Sequence, residues 1–214
     1  RRQPLPMDIL LIGCGGHGKV VLDAVRQEGR HRVVGFLDAD SATHGRSVHD
    51  VPVLGGPNLL DKMPGRKVRG VIVAIGDNRT RANYAAEAEA AGLELVSAVH
   101  PRACVAESAT VGRGVVIAAG VVVSVDATIG DGTIVNTSAV VDHECVIGRH
   151  THIAPGVRLA GRVTVGDFAF VGLGAMVIQC LAVGERAVVG AGAVVRTDVA
   201  AGVTVVGVPA RVIR

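Results

Sequence analysis

From Val105 to Ala200 the chain divides, without one insertion, into hexapeptides: VAESAT, VGRGVV, IAAGVV, VSVDAT, IGDGTI, VNTSAV, VDHECV, IGRHTH, IAPGVR, LAGRVT, VGDFAF, VGLGAM, VIQCLA, VGERAV, VGAGAV and VRTDVA. All sixteen first positions are Val, Ile or Leu, and fourteen of the sixteen fifth positions are Ser, Thr, Ala or Val. A repeat this short cannot bury its apolar residue alone, so successive repeats must stack. One large aliphatic and one small residue in every six suit a triangular parallel β-helix. The aliphatic side chain fills the interior and the small one permits a tight corner. With three hexapeptides to a coil, the series predicts about five coils. The composition agrees: with three Phe, one Tyr, no Trp and 29 Gly, a core must be built from closely spaced aliphatic layers.

Residues 7 to about 100 follow another period. DILLIG (8–13), HRVVGFLDAD (31–40) and VRGVIVAIGDN (68–78) read as strands closed by glycine or acids. Between them, GKVVLDAVRQEG places Val20, Val21, Ala24 and Val25 on one helical face, with Gly29 as its stop, and RTRANYAAEAEAAG reads as a second helix ended by Gly92. The pattern predicts a small parallel α/β domain. Within it, Gly13, Gly15 and Gly18 complete G-x-G-x-x-G after a strand, and Asp38 follows twenty residues later. That fingerprint suggests a dinucleotide. The length available holds only one mononucleotide-binding half, however, because the hexapeptides occupy the place of the second. The organisation read from the sequence is a tail over residues 1–6, a Rossmann-like nucleotide-binding domain over 7–101, and a β-helix with a C-terminal extension over 102–214.

A net charge of +3 without a basic run argues against nucleic acid as a partner. The longest apolar run, VVIAAGVVVSV (115–125), is too short to span a bilayer as a helix, and RRQPLPMDIL lacks the apolar segment of a secretory leader. Cys14, Cys104, Cys145 and Cys180 are widely spaced and form no CxxC pair, which reads as reduced thiols in a cytoplasmic protein.

One turn differs from the rest. VVDHECVIGRHTH (140–152) gathers Asp142, His143, Glu144, His150 and His152. His143 falls at the third position of its hexapeptide, in the turn rather than the core. A neutral imidazole is a good general base, and a neighbouring carboxylate can fix its tautomer. The spacing of these histidines does not match the H-x4-H pair with a distant third His of the hexapeptide zinc hydratases. Cys145 falls at a fifth, small-residue position and reads as core rather than nucleophile.

In order along the chain, GxGGHG, FLD, AIGDN, HP, VNTSAVVDHECVIG and VVGVPA resemble the bacterial sialic-acid O-acetyltransferase-like and nucleotide-amino-sugar N-acetyltransferases, over nearly all of Met7 to Arg214. The resemblance implies a left-handed β-helix, a homotrimer, acetyl-CoA as co-substrate and no metal. It implies that His143 is the base, with Glu144 as its orienting partner and Asp142 as the second candidate for that role. His152 and Gly161 would lie at the acetyl group of acetyl-CoA, Gly161 through its N–H. The remainder of CoA would run past Leu173, Gly174, Ala191 and Gly192, with Gly172 and Gly190 leaving room, and Arg196, Arg211 and Arg214 are candidates for its phosphates. Asn136 would touch the acceptor sugar. In the first domain the substrate would meet Gly15, Gly16, His17, Gly18, Asp38, Gly76, Asp77 and Asn78, its diphosphate lying at a helix N-terminus. The activity implied is acetyl-CoA-dependent N-acetylation of a nucleotide-linked amino sugar, with a UDP-4-amino-4,6-dideoxy sugar as the expected acceptor. O-acetylation of a sugar such as sialic acid is the nearest alternative, and a non-catalytic nucleotide-binding protein the more distant one.

Overall fold

The computed structural model describes residues 6–213; Arg1–Leu5 and Arg214, the last named above for CoA phosphates, lie outside the described residues. The chain divides into two units, one ending at His100 and one beginning at Pro101.

The first unit is a sheet flanked by helices. Its elements are β1 (Asp8–Ile12), α1 (Gly16–Glu28), β2 (Arg32–Leu37), β3 (Ser47–Val48), β4 (Val51–Gly55), β5 (Gly70–Val73), α2 (Asn78–Ala90) and β6 (Glu94–Leu95). The strand order is β3-β4-β2-β1-β5-β6, parallel except for the β3–β4 pair. Sequence reasoning missed β4 because Pro52 demotes a five-residue run; here Pro52 stands opposite Ser47 of the short edge strand β3. The chain leaves β1 toward β2 and β4, then returns to β5 on the other side of β1. That reversal opens a crevice beyond the carboxyl ends of β1 and β5.

α1 turns a slightly different face inward than its sequence suggests. Gly18, Val21, Leu22 and Val25 are buried, at the i, i+3, i+4, i+7 spacing of one face, whereas Val20 is exposed. Gly18 sets that rotation: a Cβ there would overlap the Gly13 carbonyl oxygen, so the helix rests directly on the end of β1. Gly29 closes α1 in the left-handed conformation, its N–H on the Val25 carbonyl.

The second unit is a parallel β-helix. Two-residue strands recur every six residues, and each pairs in parallel with the strand eighteen residues away. Three rows of strands result, running through Val116–Ile117 to Thr204–Val206, Cys104–Val105 to Val194–Val195, and Thr110–Val111 to Ala182–Val183. The second residue of each strand is the first position of a hexapeptide and points inward; Ile117, Val135, Ile153, Val171 and Val189 are all buried in one row. Fifth positions are buried as well, Leu181 excepted, and the two threonines among them are satisfied: Thr133 Oγ1 donates to the Gly148 carbonyl at 2.8 Å, and Thr151 Oγ1 to that of Gly166 at 3.1 Å.

The corners obey a rule that composition hides. From Gly114 to Gly192 every fourth position has φ between +52° and +71°, whether glycine or not. A non-glycine residue there costs roughly 1–2 kcal/mol. The cost is offset locally. From Gly132 to Gly192 the N–H of each fourth-position residue donates, at 2.8–3.0 Å, to the carbonyl of the third-position residue one coil earlier. Each such bond contributes about 0.5–1.5 kcal/mol net. One corner adds side-chain stacking, with the His150 and Phe168 rings 5.4 Å apart and the Arg186 guanidinium 5.6 Å from the centre of Phe168. Among the described residues, no helix is long and apolar enough to cross a membrane.

Candidate active site

The crevice of the first unit is a cleft of about 350 Å³. Gly13, Gly15, Gly16 and His17 form one wall, Asp38 borders it at the end of β2, and Ile75 and Gly76 face them beyond β5. The three glycines of the fingerprint divide by role. Gly13, at φ +98°, and Gly18 are required by close packing, since a Cβ at either would meet backbone atoms. Gly15 and Gly16 have open space around them. Gly15 is the N-cap of α1, supplies no side-chain cap, and is followed by no acid in the first turn. The α1 N-terminus therefore keeps its positive end directed into the cleft.

Asp38 is committed to the turn. Its carboxylate accepts the Cys14 N–H at 2.7 Å and the Asp40 N–H at 2.9 Å. Burial raises its pKa, but these donors together with the Cys14 thiol and His44 outweigh burial, and the group lies below the ordinary aspartate value. Asp77 and Asn78 are likewise occupied: Asp77 caps α2 by accepting the Thr80 N–H at 2.8 Å, and Asn78 Oδ1 accepts from Arg81 Nη2 at 2.7 Å. The start of α2 is thus capped by a side chain, and the start of α1 is not.

In the β-helix, His143 Nδ1 lies 3.0 Å from Glu144 Oε2. A carboxylate accepts, so in the neutral imidazole this contact puts the hydrogen on Nδ1 and leaves the lone pair on Nε2. Asp142 faces elsewhere, accepting the His143 backbone N–H at 2.7 Å. Glu144 reaches the ring because it occupies a left-handed fourth position, at φ +56°. One coil later, Gly161 lies directly beneath the imidazole: a Cβ at 161 would overlap Nε2 and Cε1. Among the described residues the Gly161 N–H makes no hydrogen bond, while its carbonyl accepts from Cys180 N–H at 3.0 Å. Asn136 and His152 form a second pair, Nδ2 to Nε2 at 3.2 Å, with the Phe170 ring edge-on to His152 at 5.3 Å. Cys145 is fully buried, and its thiol donates to the Ala160 carbonyl at 3.2 Å; burial pushes its pKa up, which removes it as a nucleophile.

Leu173, Gly174, Ala191 and Gly192 share one corner, joined by the Gly192 N–H on the Leu173 carbonyl at 2.8 Å. Gly174 and Gly192 have left-handed φ and open space around them, whereas a Cβ at Gly172 or Gly190 would strike the next coil. The latter two glycines are therefore fixed by stacking. Arg196 and Arg211 are exposed.

The PglD N-terminal domain model matches residues 8–88, and the bacterial transferase hexapeptide model (six repeats) matches residues 126–161. Perosamine N-acetyltransferase (PerB) from Caulobacter crescentus, solved with CoA and GDP-perosamine, is 42% identical over 96% of each chain, with a TM-score of 0.91. The chain belongs to the nucleotide-amino-sugar N-acetyltransferase family. The acetyltransferase domain of PglB from Neisseria gonorrhoeae, solved with acetyl coenzyme A, is 38% identical, the match covering 97% of this chain and all of that one at a TM-score of 0.90. UDP-N-acetylbacillosamine N-acetyltransferase of Bacillus subtilis (strain 168) is 33% identical over 114 residues, and the match spans about half of that relative, 51%. The expected fold, an α/β domain followed by a left-handed β-helix, is that of this family. Like its relatives, the protein is an acyltransferase.

Within this family member, sequence reasoning missed several residues of the cleft, three of them polar groups of α2. Thr80 and Tyr84 line it from α2. Arg81, 1% exposed, lies behind its wall. All three sit in an alanine-rich stretch that the sequence marks only as a helix. The available signal was the i, i+4, i+7 spacing of Arg81, Ala85 and Ala88, the buried face of α2.

Proposed function

We propose that the protein transfers the acetyl group of acetyl-CoA to the amino group of a nucleoside-diphosphate-linked amino sugar. The observation that carries this reading is the His143–Glu144 pair, with Nε2 as acceptor directly over Gly161. Nε2 takes a proton from the attacking amine as the new C–N bond forms at the thioester carbonyl. The Gly161 N–H meets the developing oxyanion, and the C–S bond then breaks as the imidazolium returns its proton to the CoA sulfur. His152 and Asn136 hold the acetyl and sugar ends. Leu173, Gly174, Ala191 and Gly192 bound the path of the pantetheine arm.

In the α/β unit, Gly15, Gly16, His17 and Gly18 cradle the diphosphate at the α1 N-terminus, with Asp38, Gly76, Asp77 and Asn78 shaping the remaining walls. The similarity to an enzyme solved with GDP-perosamine, over 96% of the chain, widens the expected acceptor from a UDP-linked amino sugar to a GDP-linked one as well. The reaction belongs in the cytoplasm, where acetyl-CoA and nucleotide sugars are made. The protein works as a homotrimer, a reading supported by the outward row Val122, Val140, Arg158, Met176 and Val194, apolar but for Arg158, in which Val122 and Met176 are exposed in the single chain. Light scattering on the purified protein measures that mass.

The test is thiol release from acetyl-CoA with a panel of GDP- and UDP-linked 4-amino sugars and their 4-hydroxy counterparts, products being read by mass spectrometry. Acetylation of an amine in wild type and its loss in His143→Ala, with both ligands still bound, are expected. Transfer only to hydroxyl acceptors, or full activity in His143→Ala, refutes the reading.

A further inference from the structure

The most expensive side chain in the first unit is Arg81. It is 1% exposed, the largest of the fully buried side chains, in a sheet-and-helix unit whose other buried side chains, His100 apart, are apolar. Burial pushes its pKa down to about 10 even though Asp77 opposes the shift. A well-packed apolar residue at such a position often costs less than a buried charge, so Arg81 must supply something an aliphatic side chain does not. Its hydrogen bonds say what that is. Nη1 donates to the Ile75 carbonyl at 2.9 Å and the Gly76 carbonyl at 3.1 Å, and Nη2 donates to Asn78 Oδ1 at 2.7 Å. One rigid planar fork thus pins three points of the segment between β5 and α2. Ile75 and Gly76 are the residues that face the glycine turn across the cleft.

We infer that Arg81 is a positioning residue for the nucleotide sugar: from behind the cleft wall its guanidinium fixes the β5–α2 turn at the distance from Gly15 and Gly16 that a bound nucleoside diphosphate requires. The inference rests on the function proposed above. It separates shape from charge, because a lysine keeps the charge and most of the stem but cannot reach three acceptors in one plane.

The experiment compares wild type, Arg81→Lys and Arg81→Met. Binding of GDP and UDP is measured by calorimetry, and separate KM values for nucleotide sugar and acetyl-CoA come from thiol release. In Arg81→Lys, which keeps the buried cation and folds, the nucleotide Kd and the nucleotide-sugar KM are expected to rise about tenfold, with kcat and the acetyl-CoA KM within about twofold of wild type. Arg81→Met is expected to weaken nucleotide binding at least as much. If wild type binds and turns over while Arg81→Lys matches it in nucleotide Kd, the role of Arg81 is overturned and the activity stands. Equal rises in both KM values also overturn it, since general loosening of the fold would do that. Wild type that neither binds nucleotide nor releases thiol overturns the underlying activity and this inference with it.

Discussion

Replacing Gly161 by alanine should disable the enzyme without unfolding it. Gly161 lies outside the left-handed region, so alanine adds no backbone strain. Its Cβ would stand 2.9 Å from His143 Cδ2 and closer still to Nε2 and Cε1, where ordinary contact begins at 3.4 Å. The ring must therefore retreat by about 1 Å at Nε2, and a displacement of that size costs about 10²-fold in rate. The His143 side chain is 44% exposed, so it has solvent to move into. What it loses is an exposed contact with Glu144, worth at most about 1 kcal/mol, while Gly→Ala itself contributes about 0.4–1 kcal/mol through the unfolded chain. The two nearly cancel. Steady-state thiol release should show kcat lower by about 10²-fold and a melting temperature close to wild type. The double variant with His143→Ala should be no slower than His143→Ala alone, because both act through one imidazole. A Gly161→Ala enzyme with wild-type kcat, or losses that multiply in the double variant, would refute the geometry.

The other predictions concern the first unit. Gly18→Ala should cost at least about 1–3 kcal/mol of stability in chemical denaturation, since its Cβ meets the Gly13 backbone. Gly15→Ala has open space and φ −70°, so it should stay within about 0.5 kcal/mol of wild type while weakening nucleotide binding in calorimetry. Asp38 and Asp77 both titrate below their ordinary value of 3.8 in the folded state. Their contribution to stability is thus full above that value and is lost as pH falls through the lower folded values. Denaturation midpoints followed from pH 7 into acid should hold level and then drop, and Asp38→Asn should shallow that drop; an unchanged slope would contradict the Cys14–Asp38 contact.

The sequence alone set the β-helix and its inner rows, because a first-position aliphatic every six residues can be buried in few other ways. It also set the uncapped start of α1 and the adjacency of His143 and Glu144, which are local facts. It misplaced the face of α1 by Val20, since one glycine resting on backbone rotates the helix and apolar spacing does not reveal that. It offered Asp38, Asp77 and Asn78 as substrate contacts, and could not show that each also holds local structure, Asp38 and Asp77 through backbone N–H groups and Asn78 through Arg81. Residues eighteen apart, such as His143 and Gly161, become neighbours only when a coil closes. The choice between Asp142 and Glu144 fell to a left-handed φ that the corner imposes on any residue. Arg81 went unmarked in sequence because nothing local states that its helix face is turned inward. Periodicity records what each residue does for its own strand or turn; which side chains meet across coils, or behind a cleft wall, is fixed only when those elements pack.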